Sequence, residues 1–161
     1  KIKIHTFIEK KPMGTGYVLK KAKNKLENNF LLINGDTFTN LNFKDFLKKI
    51  SLDKILNICT AKKKSNSSGN FFIKRNKVYF IEKPKISSGL INCGIYFVNK
   101  QILKTINKKE NSLEKNTIPK LIRDNNVKLL IKKIKIFDIG TFEGIQKFEN
   151  YLIRNKYLLK S

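Results

Sequence analysis

The stretch LLINGDTF, residues 31–38, joins an unbroken apolar run to an Asn-Gly pair and an acid at Asp36. Asn-Gly between apolar runs is a hairpin signal, because both residues tolerate the positive φ of a tight turn. A run that stops at glycine and then an acid is also how a buried parallel strand ends, where α/β sheets bind ligands. Residues 43–50 follow with apolar positions at helical spacing. A helix after the strand favours a strand–loop–helix unit and places Asp36 at a strand end.

The composition predicts one globular domain. The chain has 161 residues, of which 40% are hydrophobic, enough to bury a core, so we expect a single domain over residues 1–161. No apolar run reaches the length of a membrane span and no signal-peptide pattern opens the sequence, so we expect a cytoplasmic protein without membrane partners. Cys59 and Cys93 lie inside apolar runs without metal-ligand spacing, which predicts buried reduced thiols.

The net charge of +23 invites a nucleic-acid interpretation, because clustered cations displace counterions from phosphate backbones. Only three of the 35 basic residues are arginines, however, and the 32 lysines are scattered among many Asn and Ile residues. Specific base recognition favours the bidentate fork of arginine. The bias is typical of AT-rich coding sequence, so we expect no specific nucleic-acid partner.

Apolar periodicity predicts an α/β fold with a mixed, mostly parallel sheet, because strand and helix patterns alternate along the chain. Thr15 is the expected N-cap of the first helix, and Pro119 is expected to kink or break a later one. The predicted strands are 2–8, 30–33, 55–61, 71–73, 78–81, 89–98, 127–132 and 135–138, and the predicted helices are 15–26, 43–50, 101–106, 112–123 and 142–159.

Two carboxylates are candidate metal ligands. Asp36 and Asp138 each end an apolar strand, so one edge of a sheet could bring them together. Two converging carboxylates suit Mg²⁺, whose coordination is completed by water and phosphate oxygens. A turn or helix-capping role explains Asp138 equally well on pattern alone.

Two further motifs have ordinary structural explanations beside functional ones. The Gly14-Thr15-Gly16 loop precedes a helix, so its backbone N–H groups could face an electron-rich ligand, but a tight turn needs the same residues. The segment 82–84, Glu-Lys-Pro, offers an acceptor, a cation and a rigid turn, and a surface ion pair would explain the first two.

The order of the motifs resembles the sugar-phosphate nucleotidyltransferase family, especially bacterial heptose-1-phosphate and mannose-1-phosphate guanylyltransferases. The motifs that carry the resemblance are EKKPMGTG (9–16), LINGDTF (32–38), FIEKP (80–84), GLINCGIY (89–96), SLE (112–114) and FDIGTFE (137–143). It implies a Rossmann-like nucleotide-diphospho-sugar transferase fold. It also implies the reaction of a nucleoside triphosphate with a sugar 1-phosphate to give a nucleotide sugar and pyrophosphate. The expected form is a guanylyl transfer to heptose or mannose 1-phosphate for surface polysaccharide synthesis.

The resemblance also implies roles for individual residues. Gly14, Thr15 and Gly16 would border the nucleobase and ribose, and the acids Asp36 and Asp138 would hold a catalytic Mg²⁺. The remaining roles concern the sugar phosphate: Glu82 would bind sugar hydroxyls, Lys83 would bind the phosphate, and Asn92 and Gly94 would line the sugar pocket. No protein nucleophile is needed, because such transfer depends on positioning and charge neutralisation.

Two departures from the family pattern bear on activity. The Gly-rich G-G-x-G-T-R-L loop that cradles the triphosphate in the family has no counterpart, so we expect an N-terminally truncated domain with exposed apolar sheet surface, low activity and possible self-association. The family's R-Y-G segment is replaced by residues 67–70, Ser-Ser-Gly-Asn. A non-catalytic sugar-nucleotide-binding protein and a lysine-rich nucleic-acid-binding α/β domain are the alternative functions.

Overall fold

The computed structural model describes residues 3–9, 11–62, 70–75, 77–81, 89–107 and 112–155. Within these ranges strands and helices alternate as the sequence predicts, and no helix in them is long and apolar enough to cross a membrane. The elements, in chain order, are α1 (Thr15–Lys21), β1 (Asn29–Ile33), β2 (Thr37–Thr39), α2 (Phe43–Leu47), β3 (Leu56–Lys62), β4 (Asn70–Lys74), β5 (Lys77–Ile81), β6 (Leu90–Asn99), α3 (Ile102–Thr105), a π-helical turn (Leu113–Thr117), α4 (Ile118–Arg123), β7 (Val127–Lys132), β8 (Ile136–Asp138) and α5 (Phe142–Arg154).

Strand β6 is central to the main sheet. It pairs antiparallel with β1 and β4 along one edge and with β3 along the other. The expected α/β fold with a mixed sheet is confirmed, but the expectation of a mostly parallel sheet is wrong, because most neighbouring strands among the described residues pair antiparallel. Strands β1, β3 and β7 all point the same way, and β6 runs in the opposite direction between β1 and β3. The described strands therefore have one parallel pair, β3 with β7. The predicted hairpin of β4 and β5 is confirmed.

The core lies on both faces of the main sheet, because successive side chains of β3 and β6 point in opposite directions. Six successive residues of β3 are buried, as expected for a central strand. Cys59 and Cys93 are buried free thiols, which confirms the prediction for them. One face of the core contains Leu56, Ile58, Phe71, Tyr96, Val98 and Ile118, and the other contains Phe46, Cys59, Ala61, Ile91, Cys93 and Ile95.

A second, two-stranded sheet of β2 and β8 is covered by α5. The Phe148 ring of α5 lies 4.3 Å from the Phe38 ring and 5.5 Å from the Phe137 ring, between centroids. Tyr151 packs on Phe137 at 4.9 Å. These aromatic contacts fix α5 against the end of β8, which is the element that carries Asp138.

The structure corrects three local predictions. Residues 3–8 form no regular secondary structure, although their apolar alternation predicted a strand. Gly14, at φ 92°, is the N-cap of α1, so Thr15 does not cap the helix as expected. Pro119 does not break an α-helix but lies near the start of α4, where a helix tolerates proline and where the geometry changes from π to α.

Strand β1 has one hydrogen-bonded neighbour, β6, among the described strands. Its side chains alternate between half-buried and exposed, and Leu31 and Ile33 are 39% and 46% exposed. Two apolar side chains of β1 are therefore partly exposed on this strand.

Candidate functional site

The segment Asn34-Gly35-Asp36 leads from the end of β1 to β2 and does not form a hairpin. The Asn34 N–H donates to the Gly94 carbonyl at 2.8 Å, and the Ile139 N–H donates to the Asp36 carbonyl at 2.8 Å. Strand β1 pairs with β6 and β2 pairs with β8, so the segment crosses between two sheets. Asp36 therefore follows the end of a strand, as predicted, but β1 is a partly exposed strand paired antiparallel with β6 and not a buried parallel one.

Asp36 and Asp138 lie together although about a hundred residues separate them in sequence. Their backbones are held one residue out of register, because Thr37 is the ladder partner of Asp138. A Cβ atom added to Gly140 would lie 3.1 Å from Asp36 Oδ2 and 3.2 Å from Asp138 Oδ1. Both carboxylate oxygens are therefore close to the same point beside Gly140, and the distance between them cannot exceed the sum of these two distances. The Gly140 N–H donates to Asp138 Oδ1 at 3.0 Å and orients that carboxylate.

A cavity of about 430 Å³ lies beside the two acids. Asn92 and Gly94 of β6 line the same cavity, together with Asn34 from the crossing segment. The structure thus brings two residues predicted to bind sugar to the two residues predicted to bind metal. Such a volume is within the range of small-molecule sites.

A bulge in β6 directs Asn92 and Gly94 toward this cavity. The pairing register between β3 and β6 shifts between Ile58 and Thr60 of β3, which lie opposite this part of β6. Gly94 has a φ of +66°, and an added Cβ would lie 2.7 Å from Asn34 Nδ2. Only glycine combines the left-handed backbone with this close approach. Gly94 also donates its N–H to Asn92 Oδ1 at 3.1 Å, which fixes the orientation of the Asn92 amide.

The start of α5 forms another wall of the cavity. Thr141 Oγ1 caps the helix by accepting from the Gly144 N–H at 3.1 Å. Gly144 packs so tightly on the Asp138 carbonyl that a side chain there would overlap the oxygen. Lys147, on the next turn, is paired with Glu143, and this hydrogen bond and the lysine charge lower the pKa of the Glu143 carboxyl. Lys147 is the one cationic side chain among the described residues that line this cavity.

The Gly-Thr-Gly loop is outside this lining but is joined to it by hydrogen bonds. Thr15 Oγ1 accepts from the Leu113 N–H at 2.9 Å and lies 3.2 Å from Glu114 Oε2. The other Glu114 oxygen lies 3.4 Å from the Tyr96 hydroxyl, and Asn92 Nδ2 lies 2.6 Å from that same hydroxyl. A continuous chain of polar contacts therefore connects the predicted nucleotide loop to the predicted sugar pocket.

Several predicted residues remain to be placed. Gly14 is exposed and Gly16 is a buried residue of α1, and neither lines the cavity. Glu82 and Lys83, with the substituted segment 67–69, lie outside the described residues. Sequence reasoning gave no role to Asn34, Tyr96, Glu114, Thr141, Gly144 or Lys147, although all but Gly144 and Lys147 belong to the quoted motifs. Lys147 has one available signal, since it follows the Asp138 motif on the first turns of a helix.

The fold and the cavity define an α/β protein with a two-carboxylate site at the edge of its sheet. A family model described as nucleotidyl transferase matches residues 1–155. The chain belongs to this nucleotidyl transferase family, as the motif order indicated.

Individual relatives agree with this assignment. The bifunctional protein GlmU of Methanococcus aeolicus is 38% identical over 96% of this chain. The D-glycero-alpha-D-manno-heptose 1-phosphate guanylyltransferase of Campylobacter jejuni is 30% identical, over 96% of this chain and 68% of that protein. The crystal structure of HddC from Yersinia pseudotuberculosis, complexed with GMP-PN, superposes with a TM-score of 0.71 at 31% identity over 88% of this chain. The chain spans 38% of the GlmU protein and 63% of the HddC chain.

Proposed function

We propose that this chain forms the sugar-nucleotide site of a sugar-1-phosphate guanylyltransferase that acts on heptose or mannose 1-phosphate. In this reaction an oxygen of the sugar phosphate attacks the α-phosphorus of the nucleoside triphosphate, and pyrophosphate leaves. The observation that carries the proposal is the convergence of Asp36, Asp138, Asn92 and Gly94 on one cavity. The similarity to a heptose-1-phosphate guanylyltransferase supports the choice of substrate.

The two acids suit Mg²⁺ as the cofactor. Their oxygens converge beside Gly140, and hard carboxylate oxygens are the ligands that Mg²⁺ prefers. No group of three or more His, Cys, Asp or Glu side chains comes together in the described part of the chain. A site with two protein carboxylates leaves coordination positions for phosphate oxygens and water, as is usual for Mg²⁺ in phosphoryl-transfer enzymes. When bound, the ion would neutralise charge on the reacting phosphates.

The other residues of the cavity would orient the sugar phosphate. Asn92 directs one amide hydrogen to Tyr96, so its second amide hydrogen remains for a sugar hydroxyl. Gly94 lies where an added side chain would collide with Asn34, another residue of the cavity lining. Lys147 would place a cation near the phosphate oxygens, and Lys83, in the segment outside the described residues, would contribute a second. Gly14, Thr15 and Gly16 would border the base and ribose.

Nothing in the part of the chain that the structure describes favours the nucleic-acid alternative. The described lysines occur on all five α-helices and do not follow one strand edge or one helix. A binding surface for a duplex needs its cations on one face.

The experiment measures pyrophosphate release from GTP with mannose 1-phosphate or heptose 1-phosphate, and in parallel the calorimetric binding of GDP-mannose with Mg²⁺. We expect saturable binding that requires Mg²⁺ and is lost in Asp36→Asn. The control is Asp53→Asn, because Asp53 is an exposed acid that contacts Ser51 and Lys54 and does not line the cavity. Binding without turnover would assign the chain as a sugar-nucleotide-binding protein. Absence of both binding and turnover would refute the proposal.

A further inference from the structure

The carboxylate of Glu114 lies between the two halves of the candidate site. It is half-buried in the π-helical turn that Ser112 caps by accepting from the Lys115 N–H at 3.0 Å. One oxygen faces Thr15 of the Gly-Thr-Gly loop, and the other faces Tyr96 of β6. The Ser112 hydroxyl lies 3.5 Å from the first of these oxygens.

The directions of these hydrogen bonds follow from the number of hydrogens available. The Gly94 N–H donates to Asn92 Oδ1, so the Asn92 amide nitrogen must be the atom that donates to the Tyr96 oxygen at 2.6 Å. The single hydroxyl hydrogen of Tyr96 then points to Glu114 Oε1. On the other side, Thr15 Oγ1 accepts from the Leu113 N–H, and its single hydrogen points to Glu114 Oε2.

The hydroxyls of Thr15 and Tyr96 therefore each need an acceptor on residue 114, and they approach it from opposite sides. An ionised carboxylate supplies two acceptor oxygens, whereas a glutamine amide supplies one acceptor and one donor. Tyr96 is fully buried, so a hydroxyl there without an acceptor would be unfavourable. A tyrosine hydroxyl is a donor at neutral pH, and burial and then the Glu114 charge raise the pKa of the Tyr96 hydroxyl further above that pH.

We propose that Glu114 is a positioning residue that holds the Gly-Thr-Gly loop and the Asn92 side of the sugar pocket in one fixed arrangement. Glu114 touches neither substrate in this assignment, and it acts through Thr15 on the nucleotide and through Tyr96 and Asn92 on the sugar phosphate. The inference rests on the proposed function for its ligands, but the linkage itself can be tested without any ligand.

The ligand-free test is a comparison of amide spectra by NMR. Glu114→Met keeps a side chain of similar length and removes both acceptors. We expect the amide resonances of Leu113 and Gly94 both to shift, because each N–H donates to a member of the chain. Glu149→Met is the matched control, since Glu149 is exposed on α5 and outside the cavity lining. A shift of Leu113 without one of Gly94 would overturn the linkage.

The ligand test is calorimetric titration with GDP and, separately, with mannose 1-phosphate. Loss of one hydrogen bond to a charged group corresponds to about tenfold in affinity. We expect Glu114→Met to weaken both ligands about tenfold, Thr15→Val to weaken GDP alone, and Tyr96→Phe to weaken mannose 1-phosphate alone. If Glu114→Met leaves either affinity unchanged in the folded protein, Glu114 is merely structural and the proposal fails.

Two controls keep these outcomes distinct. Should Glu114→Met fail to fold, Glu114→Gln replaces it, since it removes one acceptor and must weaken at least one ligand; unchanged affinity for both would refute the proposal. If the unmodified chain binds neither ligand, the proposed function fails, and the amide spectra alone decide whether Glu114 links the two segments.

Discussion

Gly144 offers the sharpest test of how the fold positions Asp138. Gly144 lies in the first turn of α5, and a Cβ there would overlap the carbonyl oxygen of Asp138. The obstacle is backbone, which cannot move aside as a flexible side chain can. Overpacking of this kind costs about 1–3 kcal/mol, and contact with backbone places the value near the upper end. In an unobstructed helix interior the same change would stabilise by about 1 kcal/mol. We therefore expect Gly144→Ala to lower the free energy of unfolding by about 2 kcal/mol.

The assay is urea denaturation followed by circular dichroism, with Gly35→Ala as the matched control. A Cβ on Gly35 meets nothing within 4 Å, so this variant should be neutral or stabilised by about 0.5 kcal/mol through a less flexible unfolded chain. Gly144→Ala should also weaken the candidate site, because α5 or Asp138 must move to make room. Equal or greater stability of Gly144→Ala would show that α5 does not pack on Asp138 as described.

Three further predictions concern the core. Buried Asn57 accepts from the Ser51 N–H and donates to the Ser51 carbonyl, so Asn57→Ala should lower the unfolding free energy by about 2 kcal/mol in urea denaturation; no change would contradict the pairing. Cys59 and Cys93 are fully buried, so a thiol reagent should modify them only after unfolding; rapid labelling of the native chain would contradict this. Burial raises the pKa of Tyr96, so the contribution of its neutral hydroxyl to stability is complete below the ordinary tyrosine pKa of about 10 and is lost at higher pH. In an ultraviolet titration we expect one tyrosine to ionise last, together with unfolding. Uniform ionisation of the tyrosines would refute this.

The sequence predicted the strand ends well, because the signals that specify them are local. An apolar run followed by Asn-Gly-Asp, with a helical stripe after it, was enough to place Asp36 at the end of β1. The pairing of Asp36 with Asp138 also followed from two strand ends and one sheet edge. The strand that carries Asp138 was predicted, but its pairing with β2 was not, because the three residues of β2 carry no periodic signal.

The errors have a common cause in tertiary contacts. Residues 3–8 have the apolar alternation of a strand, but they pair with no described strand. The prediction of a strand there was wrong because the alternation alone does not supply a neighbouring strand to pair with. Thr15 was expected to cap its own helix, yet its hydroxyl is used by Leu113 and Glu114, almost a hundred residues away. Glu114 itself stands in a polar turn whose sequence gives no indication that its carboxylate faces two distant segments.

The central claim is that Asp36 and Asp138 bind one cation together, and Mn²⁺ in place of Mg²⁺ tests it most directly. Electron paramagnetic resonance titration, with GDP-mannose present, reports the number of ions bound to each chain. We predict one Mn²⁺ for each chain, lost in Asp36→Asn and equally in Asp138→Asn, and retained in Asp53→Asn. Undiminished Mn²⁺ binding in either cavity variant would show that the two carboxylates do not share an ion.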